Sequence, residues 1–391
     1  MTGLGSQGFS PKILGHSTAF SILAPGRILF GRGEAAKAPA LIRAFGARGL
    51  VVHGANPARA AWLVADLGPG VLTLPCGGEP TLANLSAALA VARGHRPDWV
   101  VAIGGGAALD LGKALAGLIP ATGDPMQHLE VIGQGLPLTA DPLPFIAIPT
   151  TSGTGAEVTK NAVIGLPDHG RKVSLRDDRM VAKVAIVDPS LVDGCPWPIT
   201  LASGLDAVTQ VIEPFVSCKA TPYTDALAWP AIGLGLAALL RLQSAEETQA
   251  RDHLAWVSLC GGLALANSGL GAVHGFAGVI GGMTGAAHGA ICGALLGPVL
   301  MANREAATGP VRAKLDAVCT VLADGLGSTA KMAPMALQAW AQAAGLPDLA
   351  GLGVTREMHA AIVTAAGSAS SMKGNPVPLP APILRAVLQA A

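Results

Sequence analysis

The stretch WVVAIGGGAALDLGKALAGL, residues 99–118, decides the fold of the first half of the chain. Its apolar start predicts a buried β-strand, and its Ala- and Leu-rich continuation predicts an α-helix. Gly104, Gly105 and Gly106 form the turn between them. Glycines at such a turn let a phosphate approach the backbone, and the helix N-terminus supplies free N–H groups. The motif is not GxGxxG, however, and taken alone it also fits an ordinary tight turn.

Similar strand-like runs precede and follow this stretch, with helix-like segments between several of them. The strands are GLVVHG, VLTLP, PFIAIPTT and VAIVDP, and the helices include PARAAWLVADLG and TLANLSAALAVARG. Buried strands that alternate with helices predict a parallel sheet covered on both faces. After about Asp193 the chain changes to Ala- and Leu-rich segments of helical length. We therefore predict an α/β domain over residues 1–193 and an all-helical domain over residues 194–391.

The composition indicates which kinds of macromolecule this protein binds. The 391 residues are 51% apolar and only 13% charged, and the net charge is +1. Without a basic run, nucleic acid is not an expected partner. The low proportion of charge favours a well-buried globule with a subunit interface, so we expect a homo-oligomer.

The cysteines and the N-terminus predict a cytoplasmic protein. Six scattered cysteines without a CxxC pair are expected to be small buried residues in a reducing compartment. The N-terminal sequence MTGLGSQGFSPKILG lacks the apolar core of a secretory signal. Residues 253–303 contain no Lys, Arg, Asp or Glu, which raises the alternative of a membrane protein. Glycines and two histidines interrupt that stretch, so it predicts buried core helices and no membrane association.

A second polar loop follows another predicted strand, in IPTTSGTGAEVT. Thr150, Thr151 and Thr154 offer hydroxyl groups there, although an ordinary Ser- and Thr-rich turn has the same composition. Two such loops after two parallel strands are expected where a ligand binds at the carboxyl ends of a sheet. Lys172, further along, is either a contact to a ribose or phosphate or a solvated surface lysine.

The segment GLVVHGANPARA bears on the choice between NAD and NADP. Sites that prefer NAD usually place an acidic residue on the adenine ribose after an early strand. Here the strand ends at His53 and Gly54, and Asn56 and Arg59 follow with no acid. This leaves room for a 2′-phosphate and favours NADP, although these are also ordinary surface residues.

Four residues of the helical half are candidate metal ligands: Asp206, Gln210, His274 and His288. On a helix, Asp206 and Gln210 share one face, with Cβ atoms about 6 Å apart. His274 and His288 would lie about 21 Å apart on one straight helix, too far to share an ion. The glycines between them permit a break that folds the second histidine back. Such donors suit a divalent cation, whereas a single histidine in an apolar stretch is more often a core residue.

Together these motifs resemble the iron-containing (group III) alcohol dehydrogenases, relatives of glycerol dehydrogenase and dehydroquinate synthase. The resemblance runs nearly end to end. It includes PGRILFGRG, GEPT, GGGAALDLGK, PTTSGTGAEVT, KVAIVDPSLV, SGLDAVTQVIEPFVS, VHGFAG, AAHGAICGALL and SSMKGNP. It implies a dehydroquinate synthase-like fold, in which an α/β dinucleotide-binding domain and an all-α domain enclose the active site in a cleft.

The resemblance also implies the site residues. It places NAD or NADP at Gly105, Gly106, Ala107, Thr150, Thr151, Thr154 and Lys172. We also expect Gly54, Asn56, Gly104 and Asp110 to contact the cofactor. One divalent metal, Fe²⁺ or Zn²⁺, is expected at Asp206, Gln210, His274 and His288. The expected catalytic residues are Asp206, His274 and His288.

Three positions depart from the family pattern. The family usually has a histidine in place of Gln210, a serine in place of Ala107, and a histidine implicated in proton relay in place of Gly278. An amide is a weaker donor than imidazole, so Gln210 is expected to be a weak fourth ligand or to hydrogen-bond the substrate. Asp206 is retained, and an Asp with two histidines leaves the open position that catalytic zinc uses.

The predicted function is NAD(P)-dependent, metal-assisted oxidation of small alcohols and reduction of aldehydes. A metal-independent carbonyl reductase like the maleylacetate reductases is one alternative. A nucleotide-binding homologue that has lost activity is another, which Ala107 and Gln210 support. A lyase of the dehydroquinate synthase type would need a pocket rich in Lys and Arg, which the charge-free stretch disfavours.

Overall fold

The computed structural model describes residues 19–391. The segment MTGLGSQGFSPKILG, on which the prediction of no secretory signal rests, lies outside the described residues. Within them, a six-stranded sheet with flanking helices is followed by nine α-helices. This is the predicted order of an α/β domain and an all-helical domain.

The main sheet is entirely parallel. The strands are β1 (Arg27–Phe30), β2 (Gly49–Gly54), β3 (Val71–Cys76), β4 (Trp99–Gly104), β5 (Phe145–Pro149), β6 (Asn161–Leu166), β7 (Arg171–Arg176) and β8 (Val184–Val187). Six of them form the sheet in the order β1-β8-β5-β4-β2-β3, while β6 and β7 form a separate antiparallel pair.

The five predicted strands are confirmed as β2, β3, β4, β5 and β8. The prediction that β3 is buried is wrong, because it lies at the edge of the sheet with one neighbour and most of its side chains are partly exposed. The strands β1, β6 and β7 are not predicted. β1 has only four residues, and β7 mixes polar with apolar side chains. β6, NAVIGL, is as long as β2 and mostly apolar, and the sequence analysis misses it.

Helices cover both faces of the sheet. They are α1 (Ala38–Arg43), α2 (Ala61–Leu67), α3 (Leu82–His95) and α4 (Gly106–Leu118). Ile42 of α1 and Leu63 of α2 pack on one face, and Leu89 of α3 and Leu115 of α4 pack on the other. Because α2 and α4 follow the neighbouring strands β2 and β4 on opposite faces, a crevice opens where these strands end. Ligands of open α/β sheets bind in such a crevice.

Nine helices form the second part. They are α5 (Trp197–Val216), α6 (Pro222–Ser244), α7 (Thr248–Ser268), α8 (Ala272–Thr284), α9 (His288–Ala306), α10 (Gly309–Leu326), α11 (Ala333–Ala343), α12 (His359–Gly367) and α13 (Ala381–Ala390). Their apolar side chains share one hydrophobic core. The boundary predicted at residue 193 lies where the chain passes from β8 to α5, and it stays a prediction.

The charge-free stretch 253–303 forms most of α7, α8 and α9, whose side chains are mostly buried, as predicted for core helices. Over residues 19–391, one helix, α6, is long and apolar enough to cross a membrane, and 44% of its apolar window is buried. The pair α7 and α8, bent by 99°, passes the same test only if counted as one span. Core helices of soluble proteins also pass this test.

All six cysteines carry free thiols. Five are buried, as predicted. The prediction is wrong for Cys218, which is exposed because it lies in the turn between α5 and α6.

One buried charge fixes the Thr-rich loop that follows β5. Lys113, on α4, is fully buried, and its ammonium donates hydrogen bonds to the carbonyl oxygens of Ala156 and Asn161 at 2.6 and 2.9 Å. It also donates to Thr159 Oγ1 at 2.9 Å. Burial lowers the pKa of Lys113 to about 8. Because the three acceptors lie between the end of β5 and the start of β6, Lys113 ties this segment to α4.

Replacing Lys113 by Met keeps the length of the side chain but leaves three acceptors without their donor. Since an unsatisfied buried polar group costs roughly 1–3 kcal/mol, we expect the free energy of unfolding in urea to fall by about 3 kcal/mol. The control is Lys183→Met, at an exposed position, with an expected change within about 0.5 kcal/mol. Equal stability of the two variants would contradict this role for Lys113.

Candidate metal and nucleotide site

The predicted glycine turn and the Thr-rich loop meet at the carboxyl ends of the central strands. A Cβ atom added at Gly104 would lie 3.3 Å from the backbone nitrogen of Gly54, at the end of β2. A Cβ atom added at Gly106 would lie 2.9 Å from the side chain of Thr154. Side chains larger than glycine do not fit at these contacts without a shift. The ends of β2, β4 and β5 therefore form one continuous surface.

The start of α4 is open to an anion. Gly105 precedes the helix, and among the described residues no side chain caps this end. A Cβ atom added at Gly105 would lie 3.3 Å from Thr151 Oγ1, and the backbone nitrogen of Thr150 donates to the Gly104 carbonyl at 2.9 Å. Ala107, in the first turn, is half-buried. The free N–H groups of this turn and the hydroxyl groups beside them suit a pyrophosphate.

Asp110 lies one turn further along α4 and has a structural partner. Its carboxylate accepts a hydrogen bond from the backbone nitrogen of Val163, in β6, at 3.1 Å. Burial raises the pKa of Asp110 to about 6, although the nearby Lys113 lowers it. Asp110 therefore attaches α4 to β6, and its predicted contact with the cofactor stays a prediction.

The end of β2 leaves room for a ribose substituent. Apart from the two adjacent residues in the chain, no atom lies within 4 Å of a Cβ atom added at Gly54. Asn56 is exposed, and its side-chain oxygen accepts a hydrogen bond from the backbone nitrogen of Ala58 at 3.0 Å, which begins a short 3₁₀ turn. Arg59 ends this turn and is exposed.

Lys172 is not a solvated surface lysine. It lies on β7, its ammonium forms an ion pair with Glu79, and its side chain is only 10% exposed. A Cβ atom added at Gly281, on α8, would lie 2.7 Å from its Nζ. Lys172 therefore lies where the α/β domain meets the helical domain.

Asp206, His274 and His288 come together from three helices, as predicted. Asp206 Oδ1 lies 3.2 Å from His274 Nε2 and 3.8 Å from His288 Nε2. Asp206 and His274 are buried, whereas the His288 side chain is 33% exposed. Donor atoms bound tetrahedrally to one Zn²⁺ at about 2.1 Å lie about 3.4 Å apart. The two distances from Asp206 Oδ1 are therefore close to the spacing of donors around a single metal ion.

The path of the chain explains how the two histidines meet. Helix α8 ends at Thr284, Gly285 adopts a left-handed conformation with φ of 72°, and α9 begins at His288. Glycine adopts this conformation without a steric cost and commonly ends helices. The ring centroids of His274 and His288 are 5.3 Å apart. The predicted fold-back of the second histidine is confirmed.

Cys292 is a further member of this cluster that the sequence analysis misses. It lies one helical turn after His288 on α9, and its Sγ is 3.7 Å from His288 Nε2. One donor atom from each of Asp206, His274, His288 and Cys292 lies within 4.8 Å of all the others. The i,i+4 spacing of His288 and Cys292 is the signal that would have found it.

Glu213 is a second residue that the sequence analysis misses. It lies on α5, seven residues after Asp206 and so on the same face. His274 Nδ1 donates to Glu213 Oε2 at 2.7 Å, and the backbone nitrogens of Gly271 and Val273 donate to its two oxygens at 2.9 and 2.7 Å. Glu213 thus caps α8 and orients the His274 ring with Nε2 toward Asp206. Carboxylates commonly hold metal-binding histidines in this way.

Gln210 links the helical domain to the Thr-rich loop. Its buried side-chain nitrogen donates a hydrogen bond to the carbonyl oxygen of Gly153 at 2.6 Å. This contact gives Gln210 a structural partner that the sequence analysis does not predict. Its role as a metal ligand stays a prediction.

The cluster favours positive charge on its histidines. Burial lowers the pKa of His288, but Cys292 and Asp206 outweigh this effect and raise the pKa to about 9. Burial likewise opposes charge on His274, yet Cys292, Asp206 and Glu213 raise its pKa well above the usual value. Burial raises the pKa of Asp206, but the two histidines outweigh burial and lower it. A metal ion that binds here would displace the histidine protons.

Gly278 leaves open space at the site. It lies on α8, one turn after His274, and no atom lies within 4 Å of a Cβ atom added there. By contrast, a Cβ atom added at Gly275 on the same helix would lie 3.0 Å from the Met372 side chain. A methyl group at position 278 would therefore meet no neighbouring side chain.

Gly278→Ala is expected to raise the free energy of unfolding by about 0.5–1 kcal/mol, since glycine inside a helix costs that much relative to alanine. Gly275→Ala is the matched control, and it is expected to give no gain because Met372 would have to move. Urea denaturation of the two variants checks this. An equal increase in the free energy of unfolding for Gly275→Ala and Gly278→Ala would contradict the difference in space between the two positions.

Sequence comparison identifies the family. The family described as "Iron-containing alcohol dehydrogenase" matches residues 25–189, and "Fe-containing alcohol dehydrogenase family, C-terminal" matches residues 200–391. Long-chain-alcohol dehydrogenase 1 of Geobacillus thermodenitrificans is 39% identical over 231 residues, which span 59% of this chain and 58% of that protein. Probable alcohol dehydrogenase EutG of Salmonella typhimurium is 34% identical over 302 residues, which span 72% of this chain and 75% of that protein.

A solved structure supports the same assignment. Sulfoacetaldehyde reductase from Bifidobacterium kashiwanohense, in complex with NAD⁺, is 26% identical with a TM-score of 0.82, and the match covers 95% of this chain and 98% of that one. The predicted fold class is thereby confirmed. From the family matches, the relatives and the fold together, this chain belongs to the iron-containing alcohol dehydrogenase family.

Proposed function

We propose that this protein is an NAD(P)-dependent alcohol dehydrogenase and aldehyde reductase that uses one divalent metal, Fe²⁺ or Zn²⁺. The convergence of Asp206, His274 and His288 beside the nucleotide loops carries the proposal. Gln210, one turn from Asp206, donates to Gly153 in the Thr-rich loop, which supports placing the two candidate sites side by side. The two relatives named above are alcohol dehydrogenases by name, which supports the same reaction.

In this proposal the residues have separate roles. Asp206, His274 and His288 would hold the metal, which when bound supplies Lewis-acid polarisation of an alcohol or carbonyl oxygen. The nicotinamide supplies the hydride chemistry, and the protein orients it. Glu213 keeps a proton on His274 Nδ1, so Nε2 is left as the donor atom. Because Gly278 carries no side chain, the substrate proton would leave through water or the ribose hydroxyls.

The cofactor would bind in the crevice between β2 and β4, with its pyrophosphate at the start of α4. NAD and NADP both fit this arrangement, and the sulfoacetaldehyde reductase structure is a complex with NAD⁺. The absence of an acid after β2 and the exposed Arg59 favour NADP.

The substrate would be a small alcohol or aldehyde without a required charge. His274 and His288 lie in the charge-free stretch 253–303, which supplies no Lys, Arg, Asp or Glu to pair with a charged substrate. A cytoplasmic homo-oligomer without nucleic-acid or membrane partners is part of the same proposal.

Metal content tests the proposed function. We expect near-stoichiometric zinc or iron by elemental mass spectrometry of the purified protein. NADH- and NADPH-dependent aldehyde reduction should be lost on chelation and restored by added metal. A metal-free protein that turns over at an undiminished rate would refute the metal-assisted reaction and indicate a metal-independent reductase. Nucleotide binding without turnover across a broad alcohol and aldehyde panel would indicate an inactive homologue.

Glu213→Gln tests the orientation of His274. The Glu213 carboxylate accepts three hydrogen bonds, from Gly271, Val273 and His274. The NH2 group of an amide cannot accept any of them, so one of these bonds is lost and the His274 ring loses its fixed position. Loss of such a supporting carboxylate typically lowers metal affinity about 10–100-fold, and we expect this range for zinc in competition with a chelator. Glu305→Gln, at an exposed position on α9, is the control and should bind zinc like the parent protein. Unchanged affinity in a folded Glu213→Gln protein would contradict the proposed role.

A further inference from the structure

Cys292 has surroundings that differ from those of other thiols in this protein. The thiols of Cys76 and Cys218 donate to the backbone carbonyl oxygens of Gly78 and Lys373 at 3.1 and 3.4 Å. Cys292 Sγ instead lies among candidate metal ligands, 3.7 Å from His288 Nε2. It is also buried, so its sulfur is shielded from bulk water. This position is that of a ligand and not of an ordinary structural thiol.

Three of the distances between donor atoms of the cluster are close to those around one tetrahedral ion. With Zn–N of about 2.1 Å and Zn–S of 2.3 Å, a tetrahedral site separates nitrogen from sulfur by about 3.6 Å. The distance from Cys292 Sγ to His288 Nε2 is 3.7 Å. Asp206 Oδ1 lies 3.2 and 3.8 Å from the Nε2 atoms of His274 and His288, close to the value of about 3.4 Å for oxygen and nitrogen.

Gln210 stands at the position of the family's remaining histidine, and its amide would offer a metal ion only the side-chain oxygen, a weaker donor than imidazole. The side-chain nitrogen donates to the Gly153 carbonyl at 2.6 Å, which holds the amide against the Thr-rich loop. Position 210 therefore has a weaker donor than the family pattern, and position 292 provides a stronger one. With Cys292 in place of the family's histidine at position 210, the number of strong metal ligands stays at four.

We propose that Cys292 binds the metal as a thiolate and serves as the fourth protein ligand, in place of the histidine expected at position 210. This inference rests on the proposed metal-assisted function. The thiol proton passes to solvent when the metal binds, because only the thiolate coordinates. The protein ligands become one carboxylate, one thiolate and two neutral imidazoles, and the substrate oxygen would bind as a fifth ligand.

This ligand set changes the charge and the metal preference of the site. One carboxylate with three imidazoles leaves a divalent ion with a net charge of +1, whereas Asp206 and a Cys292 thiolate together neutralise it. Thiolate is a soft donor that favours zinc, whereas hard oxygen donors favour ions such as magnesium and manganese. The site would therefore favour zinc over hard ions such as magnesium and manganese.

Cobalt substitution detects the sulfur ligand directly. The metal-free full-length protein is titrated with Co²⁺, and its absorption is recorded. A thiolate ligand gives an intense sulfur-to-cobalt charge-transfer band in the near ultraviolet, whereas nitrogen and oxygen ligands give only the weak visible bands. We expect the intense band at one cobalt per chain, its loss in Cys292→Ala, and its retention in Gln210→Ala and in Cys218→Ala, which removes the exposed thiol.

The outcomes separate this inference from the proposed function. Stoichiometric cobalt binding without the charge-transfer band, or a band that persists in Cys292→Ala, would overturn the thiolate ligand and leave the metal-assisted function standing. No cobalt binding at all would overturn both. X-ray absorption of the zinc-loaded parent protein needs no variant: one sulfur at about 2.3 Å supports the inference, and a shell of nitrogen and oxygen alone refutes it.

Discussion

The Glu213 carboxylate holds together the elements on which the proposed site depends. It accepts hydrogen bonds from the backbone at the start of α8 and from the His274 ring, and it lies on the same helix as Asp206. These bonds fix the first turn of α8 against α5. His274 Nε2 consequently lies 3.2 Å from Asp206, and the positions of the other candidate ligands follow from the turn that leads to α9.

The Thr-rich loop is fixed by close backbone contacts and by one buried charge. A Cβ atom added at Gly155, where φ is 60°, would lie 2.5 Å from the Cα atom of Gly262 on α7, so the Thr-rich loop packs directly on the helical domain. Lys113 holds the same loop from the side of α4, and Gln210 holds it from α5. The loop is thereby held between the two domains, which brings the expected cofactor next to the candidate metal ligands.

The sequence predicts the features that depend on periodicity and on glycine. The parallel strands, the turn at residues 104–106 and the meeting of His274 with His288 all follow from such patterns. It does not predict Glu213 or Cys292 as members of the site, because their roles depend on how three helices pack and on which way each side chain points. It also does not predict the contact of Gln210 with Gly153, which joins residues of different domains.

Binding of one metal ion between Asp206, His274 and His288 can be seen by crystallography at the absorption edge of the metal. Crystals of the full-length protein loaded with zinc would be measured just above and just below the zinc edge. We expect one anomalous peak per chain within bonding distance of Asp206, His274 Nε2 and His288 Nε2. An empty cluster in zinc-loaded crystals, or a peak confined to other residues, would contradict this expectation.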